Sequence, residues 1–332
     1  MTNKTIESSA DYTIAQRIYK ALEIEAQGEQ RRPHLGASII GKKCERAIWL
    51  EFRWANPKAT FPGRILRLFR RGHMEESSVY ADLRAAGYTV QDVDKVTGKQ
   101  YAFKDGHFGG SCDGLIVAGP GIASPELLEI KTHNAKSFSD LVKHGVKASK
   151  PQHYAQMQVY CRAFGADRAT YFAVCKDTDD IYTESVEHDA EFSKAMNERA
   201  QRIIADQSPP PPISTDPTWY ECKFCDSRDL CHGSKLTKQV NCRTCAHSTP
   251  ERDGTWSCAE WNAEIPDQRS QDAGCNKHIF HPHLTPWDIK DTLNAVIWLT
   301  PAGQIRSDEY TSREIAENWK ACAQGESTKD IA

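Results

Sequence analysis

Asp113 and, sixteen residues on, Glu129-Ile130-Lys131 supply the residue types that cut a phosphodiester bond. In Leu127-Leu128-Glu129-Ile130-Lys131 a strand alternates its side chains, so Glu129 and Lys131 share one face while Ile130 points into the core. Upstream, Gly109-Gly110-Ser111-Cys112-Asp113-Gly114-Leu115-Ile116-Val117 reads as a glycine-led strand, followed by the turn Gly119-Pro120-Gly121. Two carboxylates offer hard oxygen ligands suited to Mg²⁺ or Mn²⁺, and a nearby ammonium can orient or activate a water. An acid and a lysine at i, i+2 also occur on ordinary solvated strands, so the neighbouring elements decide between the two readings.

Two helices must flank this pair of strands. Periodicity predicts one over 64–86, carrying Arg70-Arg71-Gly72-His73-Met74-Glu75-Glu76. A second, over 151–165, places Gln156 and Tyr160 at i, i+4 on one face. Further helices are expected over 10–27, from a Ser38 N-cap to Trp54, and over 189–207. Strands are expected over 88–93, 100–104, 108–117, 126–132, 170–175 and 180–186. The order is that of an α/β fold, a mixed central sheet with helices packed on it. There is no Ser/His/Asp arrangement, and no Gly-x4-Gly-Lys-Ser/Thr loop to cradle a nucleotide.

Twelve cysteines in a chain without an apolar leader at its start argue for metal rather than a disulfide framework. Cys222-x2-Cys225-x5-Cys231 forms one group and Cys242-x2-Cys245-x12-Cys258-x16-Cys275 another. The second is self-contained, like a zinc ribbon, with His247, His278, His281 and His283 as substitutes for a thiolate. Cys112, Cys161, Cys175 and Cys322 read as structural.

The net charge of −3 gives no global sign of nucleic-acid binding, but its distribution does. Between Arg31 and His73 eleven Lys/Arg stand against two acids, with Trp49, Phe52, Trp54, Phe61 and Phe69 interleaved. Lys42, Lys43, Arg46, Arg67, Arg70 and Arg71 are the candidate phosphate contacts. The competing reading is a solvated helix face over a buried aromatic core. No run of 18 apolar residues suggests a membrane span, and a cytoplasmic protein is expected. Expected domains are a helical segment to residue 37, a catalytic domain over 38–235, a metal-stapled module over 236–283 and a helical tail from 284 with Trp287, Trp298 and Trp319. Pro209-Pro210-Pro211-Pro212 is an extended spacer before the first cysteine group.

Helix with His73 and Glu76, strand with Asp113, strand with Glu129-x-Lys131, helix with Gln156-x3-Tyr160: this order resembles the PD-(D/E)xK nuclease superfamily, in particular its RecB-like and phage-exonuclease branch. The resemblance covers roughly residues 38 to 232, with Cys112 where a proline is usual. It implies a restriction-endonuclease-like core in which Asp113 and Glu129 bind the metal and Lys131 positions the attacking water. His73 or Glu76 would complete the metal's shell, and Gln156 and Tyr160 would support the site and touch the DNA strand. It further implies that Cys44 joins Cys222, Cys225 and Cys231 around a 4Fe–4S cluster, zinc being the rival occupant. The activity implied is metal-dependent exonucleolysis of DNA in recombination or end processing, phage-encoded, with a single-strand annealing protein as a candidate partner. A structure-specific or restriction-like endonuclease and a catalytically silent DNA-binding module are the rivals.

Overall fold

The computed structural model describes residues 12–233, 236–291, 295–301 and 303–318. Helix α1 (Ile14–Gln27) opens with a capping box, Thr13 and Gln16 each accepting from the other's backbone N–H. Strand β1 (Leu35–Gly36) leads through a 3₁₀ turn to α2 (Glu45–Phe52), with Cys44 at its N-cap. The helix expected from Ser38 thus begins later. Gly41 packs straight onto the helix Pro151–Phe164, where an added Cβ would lie 2.7 Å from Gln152 Cα, and the chain must bend there.

Helix α3 (Gly63–Ala85) precedes strands β2 (Thr89–Gln91), β3 (Ala102–Asp105), β4 (Phe108–Ser111), β5 (Gly114–Ala118) and β6 (Glu126–His133). Two helices, α4 (Ala135–Ser149) and α5 (Pro151–Phe164), then cross back to β7 (Arg168–Cys175), β8 (Ile181–Glu187) and α6 (Ala190–Ala205). Asn134 caps α4, and Gly165, at φ 66, stops α5 in the left-handed region. The central sheet runs β2-β5-β6-β7-β8, with β6 and β7 parallel and the other pairs antiparallel. A separate sheet, β1-β4-β3, holds Leu35 and Gly36 beside Phe108 and Gly109.

Alternation along β6 splits the core in two. Leu128 and Ile130 pack with Val79 and Leu83 of α3, whereas Leu127 joins Tyr154, Tyr160 and Tyr171 on the α5 side. Glu129 and Lys131 share the face of Leu127. The architecture is the mixed α/β sheet flanked by helices that the sequence predicts.

Past α6, the short helices α7 (Tyr220–Lys223) and α8 (Arg228–Cys231) carry the first cysteine group. Strands β9 (Ser248–Pro250), β10 (Trp256–Cys258) and β11 (Ala263–Glu264) form an antiparallel sheet, followed by α9 (Gln268–Ala273). The tail is not helical as expected: β12 (Asp288–Asp291), β13 (Val296–Thr300) and β14 (Gly303–Arg306) form a third antiparallel sheet before α10 (Ser312–Glu317). Ile289, Trp298 and Ile305 line up across these strands, and Trp298 and Ile305 bury against Phe280, Trp287 and Ile315. That cross-strand stack of β-branched and aromatic residues outweighs the helical spacing. Trp319 and Cys322 lie outside the described residues. Among the described residues no helix is long and apolar enough to cross a membrane.

Candidate active site

The break between β4 and β5 falls at Cys112-Asp113, and it is what aims the aspartate. The Ile130 backbone N–H donates to Asp113 Oδ2 at 2.7 Å, and Tyr80 Oη of α3 donates to the Asp113 carbonyl at 2.6 Å. Asp113 is thus held at the end of the sheet from both sides. Lys131 Nζ lies 3.9 Å from Asp113 Oδ2, forms an ion pair with Glu129, and donates to the Ile130 carbonyl at 3.1 Å.

Glu129 is 1 % exposed; its Oε1 meets the Lys131 ammonium, and its Oε2 has no partner. Burial pushes its pKa up to about 7, the Lys131 charge working against that and the Asp113 charge with it. For Lys131, burial opposes the ammonium, but the charges of Glu129, Asp113 and Glu76 outweigh it and raise the pKa. A buried carboxylate with one oxygen on the Lys131 ammonium and the other unpartnered, beside a second acid, fits a hard divalent cation.

The structure separates His73 from Glu76. Glu76 is half-buried, and burial together with the Asp113 charge raises its pKa. His73, one turn earlier on α3, is exposed. From α5, Gln156 Nε2 donates to Tyr160 Oη at 3.1 Å, and the phenol, buried near Glu129, has its pKa raised. Asp113, Glu129, Lys131 and Glu76 thus lie within electrostatic reach of one another, Tyr160 near Glu129 carries Gln156, and His73 is exposed beside them.

Residues 13–232, about two thirds of the chain, match the model of the PD-(D/E)XK nuclease superfamily. The chain belongs to that superfamily. Among solved structures, an alkaline exonuclease (LHK-Exo) from Laribacter hongkongensis is 18% identical, covering 56% of this chain and 91% of that one, with a TM-score of 0.39. The same exonuclease in complex with dAMP gives 18%, 57%, 90% and 0.39, and the structure of SSO0001 gives 14%, 66%, 96% and 0.38. Likenesses this distant carry no argument of their own. No curated protein matches the chain.

In this PD-(D/E)XK nuclease the basic residues divide. Lys42 pairs with Glu51 and Lys43 with Glu221, both at 2.7 Å, and Arg46 donates to the Pro210 carbonyl. Arg67, Arg70 and Arg71 stand exposed on α3, beside an exposed edge-to-face pair of Phe61 and Phe69 with centroids 5.0 Å apart. Trp49, Phe52 and Trp54, by contrast, are buried core.

Each cysteine set is brought together. Cys44, Cys222, Cys225 and Cys231 line one pocket, with Ala47, Leu50 and Ile213. Cys242, Cys245, Cys258 and Cys275 line another, with His247 and His278. Among the described residues, no three His, Cys, Asp or Glu side chains close around a common point as they stand.

Three features escape the motifs. His133 Nε2 and His153 Nδ1 both bond Tyr171 Oη, at 2.9 and 2.8 Å, next to Lys131. The signal was present: His133 shares the β6 face of Lys131, and His153 lies one turn before Gln156. Arg53 is fully buried with its guanidinium near Trp49 and Trp256. Arg243, 1 % exposed, lies 3.8 Å over the Trp54 ring. No local spacing announces such long-range stacking.

Proposed function

We propose that the protein is a Mg²⁺- or Mn²⁺-dependent deoxyribonuclease that digests DNA from its ends in recombination or end processing. The observation that carries this is Glu129: a buried carboxylate with one oxygen on the Lys131 ammonium and the other unpartnered, beside Asp113 in a chain of the nuclease superfamily. Asp113 and Glu129 would hold the ion, with Glu76 the nearer third acid. The bound ion supplies positive charge to the scissile phosphate. The Lys131 ammonium orients the attacking water and stabilises the negative charge that develops on the phosphate oxygens. Ile130 N–H and Tyr80 keep Asp113 in place, and Gln156 fixes the Tyr160 hydroxyl at the wall of the site. Arg67, Arg70 and Arg71, with Phe61 and Phe69, suit a phosphate backbone with stacking rings beside it.

Exonuclease rather than endonuclease, a phage source and a single-strand annealing partner belong to this proposal on the resemblance to single-chain phage exonucleases. The test is digestion of end-labelled linear single and double strands and of closed circles with Mg²⁺. Linear DNA should be consumed and circles spared; cutting of circles would make the protein an endonuclease. Lys131→Ala should lower the rate about 10²-fold or more while DNA binding stays. An unchanged rate would sink the assignment.

The first cysteine set is proposed to hold a 4Fe–4S cluster, and the second Zn²⁺. The gathering of Cys44 from before the core with three thiols from after it supports the cluster. Protein purified without oxygen should be brown, and Cys222→Ser should bleach it. A colourless protein holding stoichiometric zinc at these four residues would replace iron by zinc.

A further inference from the structure

The second cysteine set sits back to back with a buried arginine. Cys242 and Cys245 flank a 3₁₀ turn whose N-cap, Asn241, accepts from the backbone N–H of Arg243 and Thr244. Cys258 lies on β10 opposite Ser248, and Cys275 follows Gly274. Gly274, at φ 60, comes so near that an added Cβ would lie 2.9 Å from the Val240 carbonyl, and this close approach carries Cys275 to the Cys242 turn. On the other side of the turn Arg243 enters the core. It stacks over Trp54 and donates to the Phe52 carbonyl at 3.2 Å, the Pro33 carbonyl at 2.7 Å and Gln271 Oε1. The segment 33–54 that it grips includes β1, α2 and Cys44.

Asn241 Nδ2 donates to the Trp54 carbonyl at 3.4 Å, and Cys245 forms a bridge with Phe280. The three strands β9–β11 span only two or three residues each, and Trp256 and Ile265 face the main core instead of one of their own. A unit this small needs a staple. The four cysteines line the same pocket as His247 and His278; His278 has Nε2 bonded to Thr244 Oγ1 at 3.1 Å and its Nδ1 without a partner, and we take the four thiolates as the ligand set.

We propose that Zn²⁺ held by Cys242, Cys245, Cys258 and Cys275 is the clasp that locks Arg243 onto segment 33–54, so that metal loading of the C-terminal module controls the order of the nuclease domain. The inference rests on the zinc reading above. Cys242 Sγ now donates to the Ser270 carbonyl, so binding turns that thiol inward; the thiol protons leave to solvent as the metal–sulfur bonds form.

Metal analysis and hydrogen exchange on the full chain test it. One zinc should be lost in Cys258→Ser and retained in Cys222→Ser. A zinc chelator should speed amide exchange across 33–54 about tenfold or more, leaving β7 and β8 unchanged. Arg243→Ala should show the same fast exchange with zinc still bound, and chelation should add nothing to it. Bound zinc whose removal leaves 33–54 protected would overturn the clasp and leave the zinc site standing. Zinc content unaffected by Cys258→Ser, or no zinc at all, would overturn both. If Cys258→Ser does not fold, chelation of the unaltered chain gives the same decision.

Discussion

Ile130 donates its backbone N–H to the Asp113 carboxylate at 2.7 Å, and so the strand that carries Glu129 and Lys131 also aims the other acid. One strand thereby positions all three groups, two by its alternation and the third by its backbone. A shift of β6 by one residue would swap Glu129 and Lys131 for Leu128 and Ile130. The seven-residue parallel pairing with β7, from Leu127 with Ala169 to His133 with Cys175, guards against that slip.

Burial along α3 rises from exposed His73 through half-buried Glu76 to buried Val79, since the helix runs past the end of the sheet. Glu76→Gln should therefore raise the Mg²⁺ concentration needed for half-maximal digestion about tenfold and lower the rate. His73→Ala should change either by less than about threefold. Metal titrations of the two variants decide it; a larger effect at His73 would reverse the assignment.

Gly110 is a contact point for the site. A Cβ there would lie 2.9 Å from both Tyr160 Cε1 and Tyr160 Oη, and 3.1 Å from Ala37 Cβ. Gly110→Ala should push the ring aside, loosen its bond from Gln156, and cost about 1–3 kcal/mol of stability by overpacking. Its rate should fall with little change in DNA affinity, as read by melting and single-turnover digestion. Full activity would show that Tyr160 does not support the site.

Stability should fall on the acid side. Burial lowers His107 and His133 to about 4 and His153 and His281 to about 3, against an ordinary value of 6.5. The folded protein holds these rings neutral, so their contribution is complete above about pH 6.5 and is lost as the pH drops toward 4. Urea midpoints at pH 8, 7, 6 and 5 should be level at first and then decline below 6.5. A midpoint that rises on acidification would contradict the buried neutral histidines.

Local and periodic features of the site are legible from residue order alone. The alternation of Glu129 and Lys131 and the i, i+4 pair Gln156 and Tyr160 follow from backbone repeat lengths, and the structure keeps both. Chemistry common to many folds was legible there because strands and helices impose their own periods. Tertiary structure decided the rest. It chose Glu76 over His73 as the acid-facing neighbour of Asp113, because only packing against the sheet sets where α3 ends its cover. It tied Lys42 and Lys43 into surface ion pairs and Arg46 into a bond to the Pro210 carbonyl, and left Arg67, Arg70 and Arg71 exposed on α3. It made strands of residues 288–291, 296–300 and 303–306, where helical spacing lost to cross-strand burial of Trp298. It also drew Arg243 onto Trp54, a partner 189 positions away in the chain. Contacts of that range depend on which surfaces the whole chain brings together, and no local pattern encodes them.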